Sequence, residues 1–315
     1  MTQQVLVYVA RFVATLVAAS VAVFLFMRLI PGDPAQIALG VNATPELLAQ
    51  TRAEFGTDRP LVVQYLDWAL GLPLGDFGSS FVTQQDLSPL ILDRVQVSLI
   101  LVCLAMLVAL IVAVPLGTIA AVRHRRLSGV LLSGLSPVGV AIPSFLAGIL
   151  LVVVFAVSLG WLPSNGWTAP AIDPADFLRR VTLPVLALAS VQGAVMTRYV
   201  RSAVLEVMSE DYLRTARAKG LSPTRALVRH GLRNAAVPVL TVSGVQLAAL
   251  VIGAVVIERV FVIPGLGSML LDSVGNRDLL AVQSVVMVLV AIVLTINLVV
   301  DVLYTVLDPR IRKKA

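Results

Sequence analysis

The sequence predicts an all-α integral membrane protein with six transmembrane helices and both termini on the cytoplasmic side. Three observations carry this. Hydrophobic residues make up 58% of the 315-residue chain and charged residues only 13%, against roughly 25% charged in a soluble domain; the mean hydropathy is +0.94. Six runs hold no Asp, Glu, Lys or Arg: 12–27, 95–122, 127–172, 181–197, 234–257 and 279–300. A spanning helix needs roughly 20 mainly apolar residues. Finally, threading six helices puts 16 of the 24 Lys and Arg residues on the side that holds both termini, and short basic loops stay cytoplasmic.

The first run is slightly short, but Arg11 and Arg28 flank it and can snorkel to the interface. It has no basic stretch before it and no small-residue cleavage site before "RLIPGDP", so it reads as a retained helix and not a signal peptide. The outer segment that follows, 31–94, is acidic. In it Thr44, Pro45 and Glu46 read as N-cap, first helical position and acidic first turn, and Gly56 as the stop. A second short helix is expected from Pro60, with Leu61, Tyr65, Trp68 and Ala69 on one face. "GLPLGDFGSS" then reads as turns. Such a segment caps the outer helix ends and offers a surface to a soluble partner.

The second run is followed by the short basic "RHRRLS". The third is long enough for one helix plus a loop; "GWLPSNGWTAP" ends it, with Trp161 and Trp167 suited to an interface. The fourth, also slightly short, is flanked by Arg198. Within the fourth and fifth, the polar Ser190, Gln192, Ser243 and Gln246 are candidates for a pathway wall, or for hydrogen bonds between helices. Gly134, Gly139, Gly148, Gly193, Gly244 and Gly253 permit close helix approach. The outer "ERVFVIPGLGSMLLDSVGNRD" is too hydrophobic for a solvent loop and is expected to fold back, with "IPGLG" as its bend. Asp301, near the end of the sixth run, reads as an interface anchor beside Tyr304 and Asp308.

The most telling stretch lies between the fourth and fifth runs, "SEDYLRTARAKGLSPTRALVRHGLRNAAVPVL". Glu210 and Asp211 open a helix whose last turns carry Arg214, Arg217 and Lys219, acid and base each placed to complement the helix dipole. Gly220 supplies a left-handed stop, Ser222 an N-cap and Pro223 a first helical position, so a second helix starts at once. Tyr212, Leu213, Ala216 and Ala218 make the first helix partly apolar. It could lie on the inner leaflet with its arginines on anionic lipid. The small residues Ala216, Ala218 and Gly220 favour close approach by another protein instead.

This segment resembles the "EAA" loop of the permease subunits of bacterial ABC importers. "DYLRTARAKGLS" and "RHGLRNAAVPVLT" are similar to the version found in the dipeptide/oligopeptide/nickel permease group. "RLIPGDPA", "DRPLVVQYLDW", "GDFGSS", "VFVIPGLGSMLLDSVGNRD" and the final "LDPRIRK" extend the resemblance over essentially the whole chain. The loop's leading Glu-Ala-Ala is replaced here by Tyr212, Leu213, Thr215, Ala216 and Ala218 ahead of Gly220, a variant usual in the peptide group.

The resemblance implies a type I ABC importer permease fold. Residues 1–30 would be the first transmembrane helix and 31–94 an extracytoplasmic segment with short helices. A five-helix core would fill 95–308, including a cytoplasmic coupling loop at 201–236, and 309–315 would be a cytoplasmic tail. It implies that Glu210 to Leu221 is a coupling helix seated in a groove of a cytoplasmic ATPase. The partners would be a homologous second permease, two ATPase subunits or domains that bind ATP and Mg, and an extracytoplasmic peptide-binding protein. The cargo would be a di- or oligopeptide, with a nickel chelate or glutathione as alternatives.

The chain has no Gly-x-x-x-x-Gly-Lys-Ser/Thr phosphate loop, so it is not expected to hydrolyse ATP. An ATP-independent secondary transporter or channel is the alternative, but the six runs hold no ionisable residue to carry a proton. A membrane enzyme would need a cluster of nucleophile, base or metal ligands. Cys103 is the single cysteine, His124 lies among arginines, and His230 is expected to pack against the elbow, so no metal site is expected. Nucleic-acid binding does not fit positive charge spread over membrane-flanking loops.

Overall fold

The computed structural model describes residues 2–307, with side chains at 4–134 and 139–304. The "LDPRIRK" segment from Asp308 onward, with the tail 309–315, lies outside the described residues. The helices are α1 (Thr2–Leu29), α2 (Pro34–Leu39), α3 (Pro45–Phe55), α4 (Leu61–Gly71), α5 (Leu87–Val122), α6 (Leu127–Ala141), α7 (Ser144–Leu151), α8 (Pro174–Ser209), α9 (Asp211–Ala218), α10 (Pro223–Ala226), α11 (Leu232–Val260), α12 (Leu266–Gly275) and α13 (Leu279–Leu307). Five helical stretches are long and apolar enough to cross a membrane: Gln4–Leu29, Leu87–Val122, Pro174–Ser209, Pro223–Val260 and Leu279–Tyr304. The third apolar run, expected to be one span, is broken in two. It runs through α6 and then Ser144–Ser158, bent by 95°, at Ile142 and Pro143, whose extended backbone ends one helix before the next begins. By contrast Pro115, Pro184 and Pro238 sit inside continuous helices.

Two compact units share the chain. One comprises 6–98 and 264–295. Its short helices start and stop where local chemistry dictates. Thr44 Oγ1 accepts from the Leu47 amide at 3.3 Å, Pro45 occupies the first helical position, and Gly56 ends α3 at φ +66°. Asp33 caps α2 by accepting from the Ala35 amide at 3.0 Å and also binds Arg52 at 2.7 Å. On α4, Tyr65, Trp68 and Ala69 pack with Phe24 and Met287 as the pattern predicts. Leu61, on the same face one turn earlier, is exposed.

Beyond α4 the "GLPLGDFGSS" turns use Gly75 and Gly78 at φ +77° and +78°. Asp86 accepts from the Ser88 amide at 2.9 Å at the start of α5, which holds its carboxyl below the usual range. The turn region is fastened by Asp278, which is buried and accepts hydrogen bonds from the Ser80 hydroxyl and from the Phe81 and Ala281 amides. The "IPGLG" bend leads into α12, whose first residue Leu266 is fully buried with Ile91, Phe77 and Val285, its amide on Ser98 Oγ at 2.8 Å. The hydrophobic stretch at 258–278 does fold back.

The second unit comprises, among the described residues, 2–5, 99–263 and 296–307. Helix α8 is its spine, and α6, α7 and α11 pack against it. Glycine permits this closeness. A Cβ at Gly139 would lie 2.8 Å from that of Ala194, one at Gly148 would lie 3.0 Å from the Phe261 ring, and one at Gly244 would overlap Val300. Gly193 and Gly253 are looser, and Gly134 has nothing within 4 Å of its notional Cβ. Without a hydrophobic drive between helices in lipid, such close approach is what holds them. Trp161 is exposed, whereas Trp167 packs edge-on to Phe177 with ring centroids 5.3 Å apart.

Candidate functional site

The basic stretch between the fourth and fifth spans is less a loop than two helix ends and an elbow. The apolar run of α8 stops at Thr197, yet the helix continues 12 residues further, from Arg198 to Ser209. At 1.5 Å per residue that is about 18 Å. On the return, α10 begins at Pro223 and leads through a π-helical turn at Leu227–Gly231 into α11, forming one span to Val260. The elbow is therefore carried on extensions of two spanning helices.

The cross-helix α9 sits between these ends. It starts at Asp211, with Glu210 as the extended cap residue, and ends at Ala218, so both Glu210 and Lys219 flank it. Its end is a full Schellman turn. The Gly220 amide donates to Arg217 O at 2.9 Å and the Leu221 amide to Ala216 O at 3.3 Å, with Gly220 at φ +91°. Ser222 then caps α10 by accepting from the Arg225 amide at 3.4 Å, and Pro223 takes the first position.

The side chains of α9 divide into two sets. Leu213 is only 3% exposed. It enters a cluster formed by Val204 and Val207 of α8 and Leu227, Ala226 and Ala235 of the returning helices; Ala216 and Leu221 pack on the same cluster. Gly231 forms the floor: a Cβ there would lie 2.7 Å from Leu227 Cδ1 and 3.3 Å from Leu213 Cδ1. Tyr212 Oη accepts from Asn234 Nδ2 at 2.9 Å, a second fastening to α11. The other set faces out: Asp211, Arg214, Thr215, Arg217, Ala218, Lys219 and Gly220 are exposed. Arg214 contacts Asp211 at 3.4 Å, with side chains 70% and 93% exposed, so the pair is weak and both groups stay available.

This revises one expectation. Leu213 and Ala216 do not lie ready for a partner; they seat α9 on the chain's own core, and Ala218 and Gly220 are left on the outer face. His230, expected to pack on the elbow, is exposed. The cradle residues Val204, Val207 and Leu227 were missed, although their helical spacing within a polar stretch was a readable signal.

The four polar residues of the spans do not form one group. Gln192 Nε2 donates to Gln246 Oε1 at 3.2 Å, linking α8 to α11. The Ser243 hydroxyl is buried and returns to its own helix at Val239 O, 2.7 Å. Ser190 bonds Ala187 O at 2.8 Å and borders an apolar cavity of about 690 Å³ between α5, α6, α7 and α8. The described residues contain no group of three or more His, Cys, Asp or Glu able to hold a metal ion.

Comparison with known proteins places this architecture. The family described as "Binding-protein-dependent transport system inner membrane component" matches residues 113–313, and its companion for the N-terminal part matches 1–102. A protein of Brucella abortus (strain 2308) that bears the name of a peptide transport system permease is 40% identical over 312 residues, 99% of both chains. A glutathione transport system permease protein of Salmonella typhimurium (strain LT2) is 41% identical over 302 residues, 96% of both chains. A crystal structure of an amino acid ABC transporter with histidines shares the fold, with a TM-score of 0.51 at 17% identity over 69% of this chain and 94% of that one. With a bundle of apolar spans matched along nearly its whole length, the chain belongs to the binding-protein-dependent transport system inner membrane component family: it is a multi-pass inner-membrane permease subunit, of the type I fold, from a bacterial ABC importer.

Proposed function

We propose that the chain forms half of the translocation pathway of an importer for peptides and takes its power stroke from cytoplasmic ATPases through 209–236. The observation that carries this reading is the seating of α9: apolar residues inward on a core shared by two spanning helices, charged residues outward. A push on the outer face of such a helix reaches both spans together, because Leu213 cannot move without Val207 and Leu227. A helix on lipid would put its apolar side toward the membrane; here that side is consumed by the protein itself.

On this reading both termini are cytoplasmic, and 31–94 meets an extracytoplasmic binding protein. A homologous second permease supplies the other half of the pathway, and two ATPase subunits or domains bind ATP and Mg and grip Asp211, Arg214, Arg217 and Lys219. Residues 95–308 are the permease core around the loop at 201–236. The Gln192–Gln246 pair borders the moving helices α8 and α11 and is the best candidate for the pathway wall. The names of the Brucella and Salmonella relatives favour peptides, glutathione among them, as cargo.

The test is accumulation of a labelled dipeptide in vesicles that hold the permease pair, the ATPases and the binding protein. Uptake should require internal ATP and be competed by other short peptides; a proton gradient should not replace ATP. Uptake that persists without ATP would make the chain a secondary transporter. Within this assay, Gly220→Val is expected to cut uptake severalfold while membrane insertion stays normal. Nothing lies within 4 Å of the notional Cβ, so the penalty is purely that of the left-handed backbone, about 1–2 kcal/mol. Uptake at the unsubstituted rate would show that this turn does not aim α9.

A further inference from the structure

A cavity of about 240 Å³ lies within the unit formed by 6–98 and 264–295, between the end of α1, the α3–α4 turn and the start of α13. Its walls are not those of a packing defect. Trp68 and Phe24 stack on one side, with ring centroids 6.3 Å apart, and the Arg28 guanidinium lies 4.8 Å over the Phe24 ring. The buried Arg28 Nε has no hydrogen-bond partner among the described residues. Gln64 donates to the carbonyls of Thr57 and Arg59 at 3.1 and 2.6 Å, yet its buried Oε1 accepts from nothing described. Gln283 borders the same space and is only 3% exposed. Glu54 and Asp76 add negative charge to the rim.

A buried donor or acceptor without a partner costs about 1–3 kcal/mol. Two in one small space, with the Gln283 carboxamide beside them, are the pattern of groups kept for a ligand. Their chemistry is specific. The Arg28 Nε edge suits a carboxylate held by two parallel bonds. The Gln64 oxygen asks for an N–H or O–H donor, Gln283 offers either role, and Glu54 and Asp76 favour a cation. The volume falls below the roughly 300–1,000 Å³ that encloses drug-sized ligands.

We propose that this cavity is a binding site for a short peptide zwitterion, with Arg28 taking the carboxylate, Gln64 the amide N–H, Gln283 the amide carbonyl, and the acidic rim the ammonium. It would hold a dipeptide, or the end of a longer chain, on residues other than the Gln192–Gln246 pair. The choice of a peptide rests on the import reading above, but binding is measured apart from transport, so the two can fail independently.

The experiment uses the full chain in lipid nanodiscs with Trp161→Phe and Trp167→Phe, which leaves Trp68, in the cavity wall, as the one indole reporter. Alanyl-alanine should change Trp68 fluorescence saturably. Alanyl-alanine amide, without the carboxylate, and the N-acetylated dipeptide, without the ammonium, should each bind at least about tenfold more weakly, a loss of roughly 1.4 kcal/mol. Arg28→Lys and Gln283→Leu should each weaken the dipeptide by a similar factor. A response to inorganic phosphate as strong as to the dipeptide, equal binding of the amide, or no saturable response would each overturn the proposal; the ligand series needs no variant of the cavity itself. A saturable dipeptide response in a system that imports no peptide would overturn only the import reading.

Discussion

Leu213→Asp is expected to abolish uptake while the chain still inserts into the membrane. Leu213 is the one fully seated side chain of α9, pressed between Val207 and Leu227 over the bare floor of Gly231. Removing a buried Leu side chain costs about 2–5 kcal/mol, and a carboxylate in the same apolar nest adds a desolvation penalty of several more. The eight-residue α9 is far too short to be helical alone. It therefore leaves the cradle and loses its fixed aim. The checks are dipeptide uptake and hydrogen exchange at 211–218: exchange should accelerate there and remain slow in α8 and α11. Leu213→Met, which nearly conserves volume and shape, should cost less than about 1.5 kcal/mol and keep uptake. Slow exchange at 211–218 in the Leu213→Asp protein would show that α9 is held by something other than this cradle.

Gly117→Val should act on the whole helical core. A Cβ at Gly117 would stand 2.7 Å from the Thr197 carbonyl oxygen and 2.7 Å from Val200 Cβ. Neither neighbour is the far end of a flexible chain: one is backbone, the other the branched root of a side chain. Overpacking of this kind costs about 1–3 kcal/mol, and a β-branched side chain here drives α5 away from α8. The expected result is a thermal midpoint lowered by several degrees, as a loss of that size implies, and a reduced yield of folded protein. Gly134→Val, with open space around its notional Cβ, is the control and should behave like the unsubstituted chain. Equal stability of the two variants would contradict the close α5–α8 approach.

These two positions show what the sequence discloses and what it does not. The spanning runs were legible because lipid admits only apolar, internally hydrogen-bonded segments. The caps at Thr44 and Ser222 and the stops at Gly56 and Gly220 were legible because each depends on local chemistry alone. Gly117 was not singled out, although among the glycines of the spans only Gly129, at the α6 entry, makes a tighter contact with backbone; closeness is a property of two helices and leaves no mark on one. Likewise α9 was recognised as partly apolar, but the sequence could not say which neighbour uses that surface. The answer required knowing that α8 runs on to Ser209 and α10 starts at Pro223, which places Val207 and Leu227 beneath Leu213. The break at Pro143 was hidden for a similar reason, since Pro115, Pro184 and Pro238 read alike and do not interrupt their helices.

On the proposed function, α9 faces inward through Leu213 and Ala216 and meets the ATPase through its opposite side. Site-directed cross-linking tests it most directly. In a Cys103→Ala background, a photoactivatable cross-linker is attached to the thiol of either the Ala218→Cys or the Ala216→Cys variant in the assembled importer. Ala218 is exposed and Ala216 packs on the core beneath. The expected result is a cross-link from position 218 to the ATPase, changing in yield when ATP is added, and from position 216 only links within the permease itself. Cross-linking of 216 to the ATPase, or of neither position, would contradict it.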